Sequence, residues 1–216
     1  EKRKIQWIAG RYAVKSALLK YLIKSNRPDY ITDLSYLDLR SSDKGPGIGP
    51  ESEDIDNFDL RSFGLCNIEL SNKYLRNIDI LKGQDSAPYI LQYNDINCSI
   101  THSYPFCIGV VSDKKIGIDI ERIIPLRKSV IHYFYSEGEK GIIENCKSED
   151  EYARKSISFW TRKEAVSKVL RLGMNMNFRE LDTAEDTVYF HYLKNGVINI
   201  STFHSNAFCL SIAVER

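Results

Sequence analysis

Two stretches of this chain repeat each other in the same order, and that constrains the fold more than its composition does. Tyr12-x-x-Lys15-x-Ala17-x-x-Lys20-x-Leu22 recurs as Trp160-x-x-Lys163-x-Ala165-x-x-Lys168-x-Leu170. Further along, His102-Ser103-x-x-Phe106-Cys107-Ile108 recurs as His204-Ser205-x-x-Phe208-Cys209-Leu210. Amphipathic helices resemble one another by chance, and so do short strands. Two matches in one order, one of them carrying His-Ser-x-x-Phe-Cys, read instead as an internal duplication. The expected fold class is α+β, with two related helix-plus-sheet halves at residues 1–112 and 113–216.

The repeat also sizes an insertion. Tyr12 and His102 are 90 residues apart and Trp160 and His204 are 44 apart, a difference of 46. The surplus falls at about 36–82, where Arg40 to Pro50 is polar and rich in Gly and Pro, and Glu51, Glu53, Asp54, Asp56 and Asp59 follow. Such a composition reads as a mobile insertion into the first half. Its Gly-Pro-Gly-Ile-Gly-Pro run lacks the Gly-Lys-Ser/Thr ending and the following helix of a phosphate-binding loop.

Apolar residues at helical spacing predict a helix over 5–25, ended by Arg27-Pro28. Strands are expected at 66–70, 97–101, 107–111 and 115–121, then a helical region at 127–145. A strong helix is expected at 151–172, with Asp150 as N-cap and Gly173 at its C-terminal end. Strands at 187–193, 197–203 and 207–214 close the chain. The strand at 115–121 has no counterpart before residue 5, so a longer natural chain is expected.

A net charge of +1 with 27% charged residues does not suit a dedicated nucleic-acid binder. No apolar run approaches the roughly 20 residues of a membrane span, and no membrane partner is expected. Five cysteines, none in a Cys-x-x-Cys pair, point away from a disulfide scaffold or zinc site and towards a reducing cytoplasm.

The chemistry sits in two short segments. In Ile116-Gly117-Ile118-Asp119-Ile120-Glu121, alternation puts the isoleucines on one strand face and both carboxylates on the other, with Cβ atoms roughly 6.5–7 Å apart at a rise of about 3.3 Å per residue. On a solvated edge such a pair is ordinary. In the helix at 151–172, Glu164 and Lys168 are i,i+4 neighbours. Alone they read as a surface ion pair. Together, Asp119, Glu121 and Glu164 offer the oxygen donors that a hard Mg²⁺ ion prefers. Lys163 and Lys168 add positive charge for phosphates, a set suited to phosphoryl chemistry on a diphosphate.

Gly-Ile-Asp-Ile-Glu, followed 45 residues after Asp119 by Glu164 within Trp160-x-x-Lys163-Glu164-Ala165-x-x-Lys168, resembles the signature of the 4'-phosphopantetheinyl transferase superfamily. Ser99-Ile100-Thr101-His102-Ser103 looks like that family's Ser-His-Ser segment, and Ala9 to Lys15 resembles its first helix. The length and the duplication are similar to the Sfp-type branch, a pseudo-dimeric relative of holo-acyl-carrier-protein synthase with two pseudo-twofold-related halves. The resemblance covers most of the chain outside about 36–82.

The resemblance implies an enzyme that moves the 4'-phosphopantetheine arm of coenzyme A onto a serine of an acyl or peptidyl carrier protein, releasing 3',5'-ADP with Mg²⁺. It implies a cytoplasmic monomer that binds coenzyme A between its halves. By position, Asp119, Glu121 and Glu164 would hold Mg²⁺, Glu164 would be the general base, and Lys168, with Lys163, would bind phosphate. His102 and Ser103 would contact the 3'-phosphate. Pro88 would end the adenine-binding segment, which here reads Ser86-Ala87-Pro88 where the family has Gly-Lys-Pro. Lys82 is a candidate replacement for the absent lysine. Arg11 and Lys15, sharing a helix face, are candidate 3'-phosphate ligands, as are Lys2, Arg3 and Lys4. His204 and Ser205 read as a structural copy. Phe134 and Tyr135 read as core rather than as a docking surface for the small acidic carrier. The alternative is a module that keeps the fold and binds coenzyme A with weakened transfer.

Overall fold

The computed structural model describes residues 2–24, 32–38, 77–190 and 196–216. The expected strand at 66–70 and most of the expected insertion lie outside them. The chain divides into two compact units, Glu1–Lys115 and Ile116–Arg216, each an α+β arrangement of one long helix on antiparallel strands. Among the described residues no helix is long and apolar enough to cross a membrane.

In the first unit, α1 (Lys2–Lys24) packs on a three-stranded sheet of β1 (Thr32–Asp38), β5 (Phe106–Ser112) and β4 (Asn97–Ser103), in that order. A short hairpin pairs β2 (Ile80–Lys82) with β3 (Pro88–Ile90). Ala13, Val14, Ala17 and Leu18 recur at helical spacing and are buried, with Ile78, Ile90 and Val111 among the core residues of this unit. The helix lies so close to β5 that a Cβ on Gly109 would stand 2.5 Å from the Val14 backbone nitrogen. The strand beside β5 comes from after α1 rather than before it. The sequence reading missed β1 because Leu34 and Tyr36 are its only clear alternating apolar pair.

In the second unit the sheet order is β6 (Ile116–Arg122), β9 (Phe208–Glu215), β8 (Val197–His204), β7 (Thr187–Tyr189). The helix α4 (Glu149–Leu170) crosses it. The expected helical region at 127–145 breaks into α2 (Lys128–Phe134) and α3 (Glu137–Glu144). The break occurs because Tyr135 and Ser136 are extended. Ser136 then starts α3 through a capping box, accepting from the Glu139 amide while Glu139 accepts from the Ser136 amide.

Two helix ends differ from expectation. The N-cap of α4 is Ser148, whose side chain accepts from the Glu151 amide, so Asp150 lies inside the first turn. The C-cap is Arg171, in the left-handed region at φ 57°. Gly173, at φ 53°, starts the following 3₁₀ turn. The strand expected at 187–193 ends at Tyr189.

The repeated His-Ser-x-x-Phe-Cys segments form the same hairpin in both units. His102 faces Cys107 and Ser103 faces Phe106 across β4–β5. His204 faces Cys209 across β8–β9, and the Ser205 amide donates to the Phe208 carbonyl. Among the described residues Cys98, Cys107, Cys146 and Cys209 are free thiols.

Candidate functional site

The acidic strand and the Lys-Glu helix meet because Gly117 has no side chain. A Cβ there would stand 2.0 Å from the Ala165 carbonyl oxygen, so α4 rests directly on the backbone of β6. Alternation then carries Asp119 and Glu121 onto the helix side of the strand, beyond Gly117. Residues paired across an antiparallel ladder share a face, so Asp119 lies beside Ser211 and Ser211 beside Thr202. The Thr161 hydroxyl of α4 shares a 2.8 Å hydrogen bond with the Ser211 hydroxyl, which pins the helix to the middle of this face.

Two turns further along α4, the Lys168 ammonium donates to the Ile118 carbonyl and to Asp119 Oδ1, each at 2.7 Å. Asp119 is buried, and Glu164 is partly buried on the same side of the helix. The Glu164 carboxyl is raised above the usual range, first by burial and then by the charge of Asp119, with Lys168 pulling the other way. Two carboxylates and one ammonium thus share a partly dehydrated corner.

Oxygen donors with surplus negative charge suit a hard divalent cation, and Asp119 and Glu164 fit that chemistry. Glu121, two residues beyond Asp119, is also partly buried. Among the described residues, however, no three His, Cys, Asp or Glu side chains gather into a metal cage. The structure brings Asp119, Glu164 and Lys168 together. It does not close Asp119, Glu121 and Glu164 around one point, and the Lys168 ammonium already occupies Asp119 Oδ1.

Lys163 requires a correction. Expected beside a phosphate, its side chain is instead fully buried and paired with Glu139 at 2.7 Å, both at 0% exposure. It also donates to the carbonyls of Phe178 and Leu181. Successive helical residues point about 100° apart, so the neighbour of an outward Glu164 turns away from β6. Burial pulls the Lys163 ammonium below its ordinary range, and Glu139 opposes that shift. The rest of Glu139 is used by the Thr183 amide and hydroxyl and by the Ser136 amide. In the sequence Ser136-x-x-Glu139 is a capping-box pattern, which signals the helix start but not the pairing with Lys163.

The remaining candidates belong to the first unit. His102 is exposed on β4, and Ser103 is partly buried beside the turn. Pro88 lies on β3 directly across from Lys82, which puts that exposed lysine at the strand position opposite the altered segment. Arg11 donates through Nε to the Ile80 carbonyl at 3.1 Å and stacks 3.6 Å over the Trp7 ring. Lys15 lies one turn further on, half-buried. In the second unit, His204 Nε2 is held 2.7 Å from the Ser158 hydroxyl. Its imidazolium is disfavoured by burial and then by Arg154, Lys155 and Arg162. Ser205 accepts from the amides of Ala207 and Phe208 and so shapes the turn.

Residues 115–213 match the family model of the 4'-phosphopantetheinyl transferase superfamily. The 4'-phosphopantetheinyl transferase gsp of Aneurinibacillus migulanus is 28% identical over 107 residues, covering 50% of this chain and 44% of that protein. The 4'-phosphopantetheinyl transferase psf-1 of Bacillus pumilus is 28% identical over 91 residues, covering 42% of this chain and 39% of that protein. The chain thus spans less than half the length of these curated relatives. Among solved structures, holo-[acyl-carrier-protein] synthase of Thermotoga maritima is 20% identical with a TM-score of 0.38, over 46% of this chain and 61% of that one. A Bacillus anthracis holo-(acyl-carrier-protein) synthase in complex with CoA (3',5'-ADP) is 20% identical with a TM-score of 0.36, over 46% of this chain and 93% of that one. Asp119, Glu164 and Lys168 all lie within the segment that matches the 4'-phosphopantetheinyl transferase superfamily model.

Proposed function

We propose that this protein transfers 4'-phosphopantetheine from coenzyme A to a serine of an acyl or peptidyl carrier protein, with Mg²⁺. The observation that carries the reading is the corner of Asp119, Glu164 and Lys168, inside the segment that matches the family. The named activity of the two curated relatives supports it.

Asp119 and Glu164 would hold the metal, with Glu121 within reach of the same side of the strand. Bound there, Mg²⁺ would neutralise charge on the diphosphate and on the leaving group. Glu164 is suited to act as general base because burial and the charge of Asp119 raise its proton affinity, which strengthens it as an acceptor. It takes the proton of the carrier serine. The serine oxygen forms a bond to the β-phosphorus, the bond from that phosphorus to the bridging oxygen breaks, and 3',5'-ADP departs with the electron pair. Lys168 holds Asp119 in place and offsets charge that builds on the phosphates. In the first unit, His102, Ser103, Arg11, Lys15 and the Lys82–Pro88 hairpin are the residues assigned to the adenosine end of coenzyme A.

The test is intact-mass spectrometry of several apo carrier proteins incubated with the protein, coenzyme A and Mg²⁺. The expected result is the gain of one phosphopantetheine arm, abolished by EDTA and by Glu164→Gln. Calorimetric binding of coenzyme A with no transfer to any carrier would replace this reading with that of a coenzyme A-binding module. Undiminished transfer by Glu164→Gln would remove Glu164 as the base.

A further inference from the structure

The duplication supplies an internal comparison of two sheet edges. β3 in the first unit and β7 in the second hold corresponding places, each just ahead of the repeated hairpin and beside its first strand. β3 lies against β4, where the Cys98 thiol donates to the Pro88 carbonyl at 3.5 Å, and β7 pairs with β8. In the first unit the far edge of β3 is taken. Ile80, Leu81 and Lys82 of β2 pair with Ile90, Tyr89 and Pro88, and Ile80 enters the core together with Ile90. The chain leading into β3 thus supplies its edge partner.

In the second unit the chain leading into β7 supplies no such strand. Residues 171–186 are all described and form turns and irregular chain around one 3₁₀ turn, Gly173–Asn175. Among the described residues β7 therefore ends the sheet. The ladder shows which of its groups face outward. The Phe190 amide donates to the Gly196 carbonyl and the Ile200 amide to the Asp186 carbonyl, so the bonded positions of this antiparallel pair are 186, 188 and 190. The amides and carbonyls of Thr187 and Tyr189 point away from β8, and no backbone partner meets them among the described residues. Such unpaired groups are a template for another strand.

Beside that edge lies a groove of about 670 Å³. Leu172, Met176, Val188 and Phe190 give it an apolar lining, and Glu180 and Glu185 add carboxylates. Val188 and Phe190 alternate onto the side of the sheet that faces α4, where Val188 joins the core. A strand added to β7 would turn the residue opposite Val188 into the groove, as Ile80 sits beside Ile90. Leu172 is 40% exposed and would be covered by it. The charge selects the occupant. Asp186 pairs with Arg162, and Asp182 accepts from the Ser136 hydroxyl. Glu180 and Glu185 make no ion pair among the described residues. A second copy of this edge would set like charges against each other, whereas a basic segment meets the opposite sign.

We infer that the β7 edge binds an extended basic segment of a partner protein. The segment adds a strand that pairs with Thr187 and Tyr189, sets an apolar side chain in the groove and places Lys or Arg beside Glu180 and Glu185. β7 and β6 are opposite edges of one sheet. The surface is therefore separate from the corner of Asp119, Glu164 and Lys168, and it binds its partner whether or not the protein transfers phosphopantetheine.

The experiment titrates the 216-residue chain into fluorescein-labelled peptides of about seven residues, in which Lys or Arg alternates with Ile, Val, Leu or Tyr. A matched set carries Glu in place of the basic residues. Fluorescence anisotropy should show basic members binding with Kd of about 10–100 μM and acidic members not binding below about 1 mM. Tyr189→Pro removes an outward amide that β8 does not use, which an edge strand tolerates, and should weaken binding about tenfold or more. Glu180→Lys with Glu185→Lys, at two exposed positions, should weaken it about tenfold, as should about 0.5 M salt. Circular dichroism checks that each variant keeps the fold. If Tyr189→Pro does not, peptides with alternate amides N-methylated take its place, and their binding should be lost.

Failure of every basic peptide to bind below about 1 mM would overturn the proposal. Binding indifferent to the lost amide would mean attraction without strand pairing. Binding indifferent to the charge reversal, or equal for the acidic set, would leave the groove without a reason to prefer a basic partner. A dimer of the unaltered chain that Tyr189→Pro dissociates in sedimentation would put a second copy on the edge. Each of these results ends the proposal, and none bears on transfer to a carrier, which is measured separately.

Discussion

The two units use one plan, a long helix on an antiparallel sheet, yet among the described residues only the second gathers two carboxylates and an ammonium where its helix meets its sheet. The difference lies in where the helix meets the sheet. In the first unit the close approach is at Gly109 on the central strand β5, against Ala13 and Val14. In the second, the position matching Gly109 is Ser211, and it carries a hydroxyl bonded to Thr161. The glycine has moved to the edge strand as Gly117, against Ala165. That shift brings Glu164 and Lys168 over β6, where Asp119 stands. Among the described residues the first unit has no equivalent set: Ser16 matches Glu164 by the repeat, and Ser35 faces Gly109 on the adjacent strand β1, as Asp119 faces Ser211. A duplicated fold can therefore hold one charged corner if one of its copies changes which strand the helix touches.

The largest expected difference between the units comes from the matched lysines. Lys163→Met would leave Glu139 buried without its counter-charge, and breaking a buried pair this way costs about 3–5 kcal/mol. Lys15→Met, at the half-buried matching position of α1, should change stability by less than about 1 kcal/mol. Urea denaturation of both variants makes the comparison. Equal effects would mean that the two helices are fixed to their surroundings alike. Glu139→Leu in the Lys163→Met background should recover only part of the loss, since it removes the unpaired charge but leaves the Ser136 amide and the Thr183 amide and hydroxyl without their acceptor.

The close approaches rank next. Gly117→Ala would put a methyl group into the Ala165 carbonyl, where only helix displacement can relieve it. A destabilisation of about 1–3 kcal/mol or more is expected, together with loss of transfer out of proportion to the unfolding. Gly109→Ala should cost stability on a similar scale while sparing turnover measured on the folded fraction. If both glycines affected turnover equally, the shift of contact to β6 would not be what builds the site.

Much of this was open to sequence reading, and the omissions have physical reasons. The repeats anticipated both helix–hairpin units. Strand alternation at Asp119 and helical spacing at Glu164 and Lys168 each defined a face. What joined the faces was Gly117, since a glycine inside a strand marks close backbone approach, and the reading gave it no weight. Lys163 is adjacent to Glu164 in sequence but not in space, because one helical step separates a buried face from a partly open one. Glu139 could not be paired with Lys163 from spacing alone, because the intervening turn and helix start decide where it lands. Asp150 was preferred to Ser148 as the cap, although Ser148-x-x-Glu151 carries the capping-box pattern.

A smaller effect tests how α4 begins. Ser148→Ala removes the acceptor for the Glu151 amide, and loss of such a cap costs about 1 kcal/mol. Thermal unfolding should show that decrease, whereas Asp150→Ala, inside the helix and paired on the surface with Arg154, should stay within about 0.5 kcal/mol. The reverse order would return the cap to Asp150. Either way the charged corner, four turns along the helix, should be undisturbed, with any response to Mg²⁺ the same in both variants.

The smallest effect bears on Glu164, whose matching position in the first unit is Ser16. The Glu164 carboxyl is raised by burial and by Asp119, so the folded state holds its proton more tightly than the unfolded chain does. Its protonated form favours folding. As pH rises from the ordinary carboxylate range through the raised value, the folded state releases its proton later than the unfolded state and loses stability across that window. Glu164→Gln should therefore match the unaltered protein in acid and be slightly more stable at neutral pH. Mg²⁺ should reverse the order by favouring the ionised form in the folded state, stabilising the unaltered protein above the window and leaving Glu164→Gln unmoved. Denaturation at pH 4.5 and pH 7.5, with and without Mg²⁺, separates the cases. A neutral-pH advantage for Glu164→Gln that persists in Mg²⁺ would show a strained carboxylate that takes no part in holding the metal, and the second unit would then differ from the first in charge without differing in function.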